Sequence, residues 1–372
     1  MTWVLVGALG VFIAQDFGLT ATQKGFLVAV PLFGGSLFRI GIGILSDRYG
    51  PRRIGFVSML VAVVPLVWAW LAGESFAQVI VVGLLLGIAG ASFAVSLPLA
   101  SRAYPLAHQG LAMGVAGSGN SGAIISIALA PLLAVRLGWH AVFGVLIPVV
   151  LLTAVLYWVL ARDHEPEDVG AANHRLDFSR LLREPDTYWF CLLYSITFGG
   201  FVGLSSYLSI FFFDQYGLSR VEAGWAAAAC ALAGSFSRPA GGFIADRLGG
   251  LRVLSFLYPA IAAFAGGIAL LLPLPFALIA VLLAMTCLGM GNGVIFQVVP
   301  QRFRREIGAV SGLVGAAGGL GGFLLPAALG FFKDLSGTYA TGFTIFAAVC
   351  ALIMPVVVLF WRPGLQNMVS RI

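Results

Sequence analysis

Two arginines stand where a charge is costly. Arg39 lies in the apolar run LFRIGIGIL, and Arg238 lies in FSRPAGGFI. A guanidinium is planar, forked and charged at every working pH. It binds oxyanions through paired N–H donors and does not shuttle protons. A pair of such groups implies anion binding, provided no acid neutralises them. The fifteen Asp and Glu residues, from Asp16 to Asp334, all map to loops or to the ends of apolar runs. Other chemistry has little support. The histidines are loop residues, or in the case of His140 a helix-end residue, so no Ser-His-acid or metal set forms at the depth of the arginines. Cys191, Cys230, Cys287 and Cys350 fall one per apolar run, as small buried hydrophobes do. No Gly-x-x-x-x-Gly-Lys-[Ser/Thr] stretch is present for a nucleotide. The chain therefore reads as neither an enzyme nor a cofactor or metal protein.

Composition fixes the elements that hold these arginines. The 372 residues are 60% hydrophobic and only 10% charged, with a mean hydropathy of +1.00. A soluble surface needs about twice that charge. The solvent is therefore a bilayer, and continuous apolar runs mean helices rather than barrel strands. Turn residues and charges divide the chain into twelve segments of about 20 residues each: 1–15, 22–45, 54–72, 77–101, 110–134, 139–160, 187–213, 221–244, 252–271, 276–300, 307–331 and 338–361. The first meets Gln15 and Asp16 after fourteen residues, which reads as a helix whose start lies upstream. No cleavable signal peptide is evident.

The stretch 162–186 carries eleven charges and separates six segments from six. It predicts an N-terminal bundle over 1–161, a cytoplasmic connector over 162–186 and a C-terminal bundle over 187–372. With the connector cytoplasmic, fifteen of the 21 basic residues face that side and four face the other. Arg39 and Arg238 are the remaining two. Positive residues collect on the cytoplasmic face, so the topology follows, with the C-terminus cytoplasmic. The same bias explains the net charge of +6 without nucleic acid.

The halves are related. LFRIGIGILSDRYGPRRIG at 37–55 aligns with FSRPAGGFIADRLGGLRVL at 236–254, placing Arg39 on Arg238, Asp47 on Asp246, Arg48 on Arg247 and Gly50 on Gly249. LGIAGASFAVSLP at 86–98 aligns with LGMGNGVIFQVVP at 288–300, placing Gly87 on Gly289. Each arginine lies eight residues before its acid, about 12 Å of helix, against a hydrocarbon half-thickness of about 15 Å. Both sit near the midplane, where an arginine costs at least ~2.5–3.5 kcal/mol to insert. Without a partner acid, an anionic substrate bridging the pair offsets that cost.

The pattern Gly43-x-x-x-Asp47-Arg48-x-Gly50-x-Arg52-Arg53 resembles the loop 2–3 signature of the major facilitator superfamily. The resemblance implies twelve transmembrane helices in two pseudo-symmetric six-helix bundles. It also implies a cytoplasmic latch at Asp47 and Arg48, with Asp246 and Arg247 as the repeat equivalents. FRI around Arg39, SRP around Arg238, AGSGNSG at 116–122, GNGVIFQVVPQRF at 291–303 and GAAGGLGGF at 315–323 together resemble the nitrate/nitrite porter family. That resemblance implies that Arg39 and Arg238 bind nitrate or nitrite, that Asn120 donates a hydrogen bond to it, and that Tyr194, Phe198 and Phe93 wall the site. Gly117, Gly119 and Gly122 in helix 5, and Gly315, Gly318, Gly319 and Gly322 in helix 11, would line it. Lipid contact or core packing stays open for each aromatic, and pure packing stays open for the glycines. The expected activity is secondary transport by alternating access, as nitrate/nitrite exchange or proton symport, by a monomer in the plasma (inner) membrane. A small organic anion is the alternative substrate.

Overall fold

The computed structural model describes residues 1–96, 99, 118–163, 183–303 and 307–360. The chain opens with a 3-10 turn (Thr2–Val4), α1 (Leu5–Ala8) and α2 (Gly10–Asp16), followed by α3 (Ala21–Tyr49), α4 (Pro51–Ala72) and α5 (Phe76–Gly90). A second 3-10 turn (Ser118–Ser121) leads into α6 (Gly122–Leu137) and α7 (Trp139–Leu160). The remaining helices are α8 (Pro185–Tyr216), α9 (Arg220–Leu248), α10 (Gly250–Ala269), α11 (Leu274–Arg302), α12 (Ile307–Ser336) and α13 (Ala340–Phe360).

No strand occurs among the described residues. Eight of their helices are long and apolar enough to cross a membrane, and two more are shorter but apolar. The 29 residues of α9 are long enough but rich in alanine, glycine and serine. With the helical run from Thr2 to Asp16, these account for the twelve expected segments.

Local signals set the helix ends. Thr20, Ser75 and Ser219 each close a capping box with Gln23, Gln78 and Glu222, which satisfies backbone N–H groups that a helix start leaves unpaired. Gly50 and Gly249 both take φ of 87°, at equivalent turns after α3 and α9. Only glycine adopts that conformation without a Cβ penalty. Of the stretch AGSGNSG, expected within helix 5, Ser118–Ser121 is a 3-10 turn that runs directly into α6, and residues 116–117 lie outside the described residues. Glycine and serine are poor α formers, and the tighter turn suits them.

The packing has a centre. α8 is buried almost all round, as a helix apolar on every face must be, and it touches α9, α11 and α12. α4 and α7 bury little of their surface and form the periphery. The most extensive helix contact is between α3 and α12. These two run antiparallel with small residues at the seam. A Cβ on Gly330 would meet the Ala21 carbonyl, and one on Gly25 the Pro326 carbonyl. Further along, Gly322 faces Leu32, Gly319 faces Ser36 and Gly315 faces Arg39. Small residues let two helix backbones approach closely, so this seam carries α12 to the arginine of α3.

Candidate functional site

The two arginines reach one phenylalanine. The Cζ of Arg39 lies 5.9 Å from the centre of the Phe198 ring, and the Cζ of Arg238 lies 5.6 Å from it. Arg39 also lies 6.0 Å from Phe93, and Arg238 lies 4.8 Å from Phe201. Phe198 stacks on Tyr194 at 4.9 Å with rings 7° from parallel, and Phe296 meets Tyr194 edge-on at 5.0 Å. Tyr194 and Phe198 are 3% and 2% exposed, so the lipid-contact reading fails for both. Their spacing of four residues puts them one above the other on α8, and Phe201 lies three further along the same face. Phe93 is half-buried on the Arg39 side.

The guanidinium groups differ in their partners. Arg39 is 5% exposed. Its Nη1 donates to the carbonyl of Gly315 and its Nη2 to that of Gly90 at 3.0 Å, leaving Nε without a partner. Arg238 keeps both Nε and Nη2 buried and unpartnered. The sequence pointed to two equivalent, unpaired cations. Among the described residues the fold instead ties one to backbone carbonyls and leaves Nε and Nη2 of the other without a partner. Neither bonds to an acid among the described residues. Buried N–H groups on a cation cost free energy unless they find an acceptor. The arrangement can therefore take an acceptor-only ligand of small size, walled by aromatic rings.

The predicted glycines divide. A Cβ on Gly315 would sit 2.7 Å from Arg39 Nη1, and one on Gly318 would sit 2.6 Å from Tyr194. These two lie directly against the Arg39 and Tyr194 side chains. Gly319 and Gly322 pack α12 on Ser36 and on Val202 and Leu32. Gly122 faces Met1, and Gly119 has no neighbour within 4 Å among the described residues. Gly117 lies outside the described residues, as do the side chains of Asn120 and Asp47. The remaining latch residues make contacts within their own halves. Arg48 lies over Tyr49, Arg247 over Phe243, and Asp246 accepts from Gln297 at 2.7 Å.

Sequence reasoning missed four residues here. Phe201 and Phe296 look like any apolar residue in a buried run. Ser36, whose hydroxyl fills the space Gly319 leaves, is equally silent. Asn292 is different. It is 2% exposed with both amide atoms unpartnered, and an amide inside an apolar run is itself a signal.

At the end of the molecule away from Asp47 and Asp246, a second polar set joins early helices to late ones. Lys24 pairs with Asp214 at 2.7 Å, and Tyr339 donates to Asp214 at 3.0 Å. Asp334 accepts from the backbone N–H groups of Ala21 at 3.0 Å and Thr22 at 2.7 Å. An acid from α12 thus caps the N-terminus of α3, where the helix dipole favours negative charge.

The chain is similar to known transporters. The family model described as Major Facilitator Superfamily matches residues 1–326. A relative named nitrite extrusion protein, from Bacillus subtilis (strain 168), is 31% identical over 374 residues, covering 100% of this chain and 93% of that one. A relative named probable nitrate/nitrite transporter NarK2, from Mycobacterium tuberculosis (strain ATCC 25618 / H37Rv), is 33% identical over 377 residues, covering 99% and 95%. Among solved structures, a bacterial homolog of the human lysosomal transporter Spinster, inward-facing and occupied, superposes with a TM-score of 0.71 at 19% identity. That match covers 98% of this chain and 94% of the other.

Proposed function

We propose that this chain, which belongs to the nitrate/nitrite porter family of the major facilitator superfamily, moves nitrate and nitrite across a membrane by alternating access. One observation carries the reading. Arg39 and Arg238, at equivalent repeat positions, converge on Phe198 with unpartnered N–H groups. A trigonal oxyanion offers in-plane acceptors to both forks and a flat face to the Tyr194 and Phe198 rings. The relatives' names supply the ion.

The halves 1–161 and 187–372 would rock about this midplane site. The set at Lys24, Asp214 and Asp334 then holds the outer ends of α3, α8 and α12 together while the opposite ends part. The Asp47 and Arg48 latch, with Asp246 and Arg247, would form in the opposite state. The positive-inside bias would set the C-terminus on the cytoplasmic side, and the membrane would be the plasma (inner) membrane. No acid lies beside the arginines among the described residues, so exchange of nitrate for nitrite is the simpler coupling. The test is uptake of labelled nitrate into proteoliposomes, with internal nitrite in one arm and an inward proton gradient in the other. The expected result is uptake driven by internal nitrite. Uptake driven only by the proton gradient would overturn exchange. Uptake of neither nitrate nor nitrite in either arm, or better uptake of formate or oxalate, would overturn the substrate.

The closed end gives its own expected result. Asp334→Ala removes a cap worth ~1 kcal/mol, and the amides of Ala21 and Thr22 lose their acceptor. Hydrogen–deuterium exchange of the peptide around residues 20–24 should accelerate about fivefold. Unchanged exchange there would remove Asp334 from the closure.

A further inference from the structure

Asn292 is a buried amide to which the site described above gives no role. It lies on α11, is 2% exposed, and has neither Nδ2 nor Oδ1 partnered among the described residues. Its direction follows from its neighbours. Gly289 and Gly293 bring α11 against α9, at the carbonyls of Gly234 and Arg238. Gly291 faces Thr197 of α8, and Phe296 meets Tyr194 of α8. Successive residues turn by about 100° around a helix. On that wheel Asn292 points between the α9-facing and α8-facing sides, one turn from Phe296. It therefore points into the wedge where the Arg238 guanidinium lies over Phe198 and Phe201.

The repeat sharpens this. Aligning 86–98 with 288–300 places Asn292 on Gly90. The carbonyl of Gly90 accepts from Arg39 Nη2, which helps to fix that guanidinium. Arg238 has no such bond from its Nη2. The second half thus carries a side-chain amide where the first carries a bare backbone.

We propose that Asn292 is a direct ligand of the transported anion, with Nδ2 donating to an anion oxygen and Oδ1 accepting from Arg238. This rests on the proposed function and adds a third donor to its site. An amide supplies that donor without adding charge. The second cation is thereby steered by a side chain that can turn, while the first is held by backbone. A trigonal ion with three oxygens has an acceptor for each of the three groups. Nitrite must share an oxygen between two of them, where nitrate can turn a separate oxygen to each, so Asn292 favours nitrate over nitrite.

Two substitutions test it in the proteoliposome assay. Asn292→Leu has nearly the same volume and removes both polar atoms. A buried unpartnered amide is unfavourable for folding, so this variant should unfold at the same temperature as wild type or a higher one. Its KM for nitrate should rise roughly tenfold or more, and its KM for nitrite by less. Asn292→Asp separates ligand from positioning residue. The carboxylate still accepts from Arg238 but cannot donate to an anion and repels it. Nitrate uptake at neutral pH should be lost. Wild-type KM for nitrate in Asn292→Asp, or in a folded Asn292→Leu, would overturn the proposal while leaving the function standing. A wild-type protein that takes up neither ion removes the function and this inference together.

Discussion

Arg238→Lys should lower nitrate uptake, as the ratio of maximal rate to KM, by at least about tenfold, with little change in thermal stability. The physical reason is the state of its donors. Nε and Nη2 of Arg238 are buried and have no partner among the described residues, so the fork is open to a ligand. Lysine keeps the charge but offers a point donor instead of a planar pair. Losing one charge-assisted hydrogen bond corresponds to about 1.5–3 kcal/mol, or roughly ten- to 150-fold in affinity. Arg39→Lys should lose transport to at least the same degree and lose stability as well. Arg39 ties α3 to the carbonyls of Gly315 on α12 and Gly90 on α5, and a lysine cannot reach both in that geometry. Uptake kinetics and thermal unfolding of the two variants separate these roles. Wild-type kinetics in either variant would remove that arginine from the site, and equal stability loss in both would contradict the asymmetry.

The second large effect concerns folding. Gly87→Ala and Gly289→Ala should each cut the yield of monodisperse protein severalfold and lower its unfolding temperature. A Cβ on Gly87 would fall inside contact distance of the Gly34 and Gly35 backbone, and one on Gly289 inside that of the Gly234 carbonyl. Backbone cannot move aside as a flexible side chain can. Overpacking of this kind costs about 1–3 kcal/mol, and more where the helices must separate. Gly41→Ala is the control, because no described residue lies within 4 Å of its added Cβ. It should express and unfold like wild type, or slightly better given alanine's helix propensity. If Gly87→Ala and Gly289→Ala behave like Gly41→Ala, the close approach of α5 to α3 and of α11 to α9 is not what holds these pairs.

The two glycines occupy equivalent positions in the repeat, and both make backbone contacts. That agreement joins sequence to packing. The offset that placed Gly87 on Gly289 came from letters alone. The matching contacts of α5 on α3 and α11 on α9 follow from the same local pattern folding in the same way twice. Gly50 and Gly249, with identical φ at equivalent turns, are a second instance.

Local information in the chain was enough for the elements and for the two arginines inside apolar helices. A bilayer leaves the backbone no alternative to helices, so run length and charge position gave the twelve segments. A cation within an apolar run is visible whatever it touches. The chain alone could not say which faces meet. α8 is apolar all round, so its pattern does not reveal that Tyr194, Phe198 and Phe201 turn inward to the arginines. Arg39 finds its acceptor on Gly315, 276 residues away, and Asp334 caps a helix that begins 313 residues earlier. Such contacts depend on how each helix is rotated about its own axis against distant neighbours. The sequence showed two equivalent cations in the membrane. Only the tertiary structure decided that one is tied to main-chain carbonyls and that the other keeps two buried donors unpartnered among the described residues. Carbonyl partners carry no side-chain signature, so no pattern of residue types could have distinguished the two.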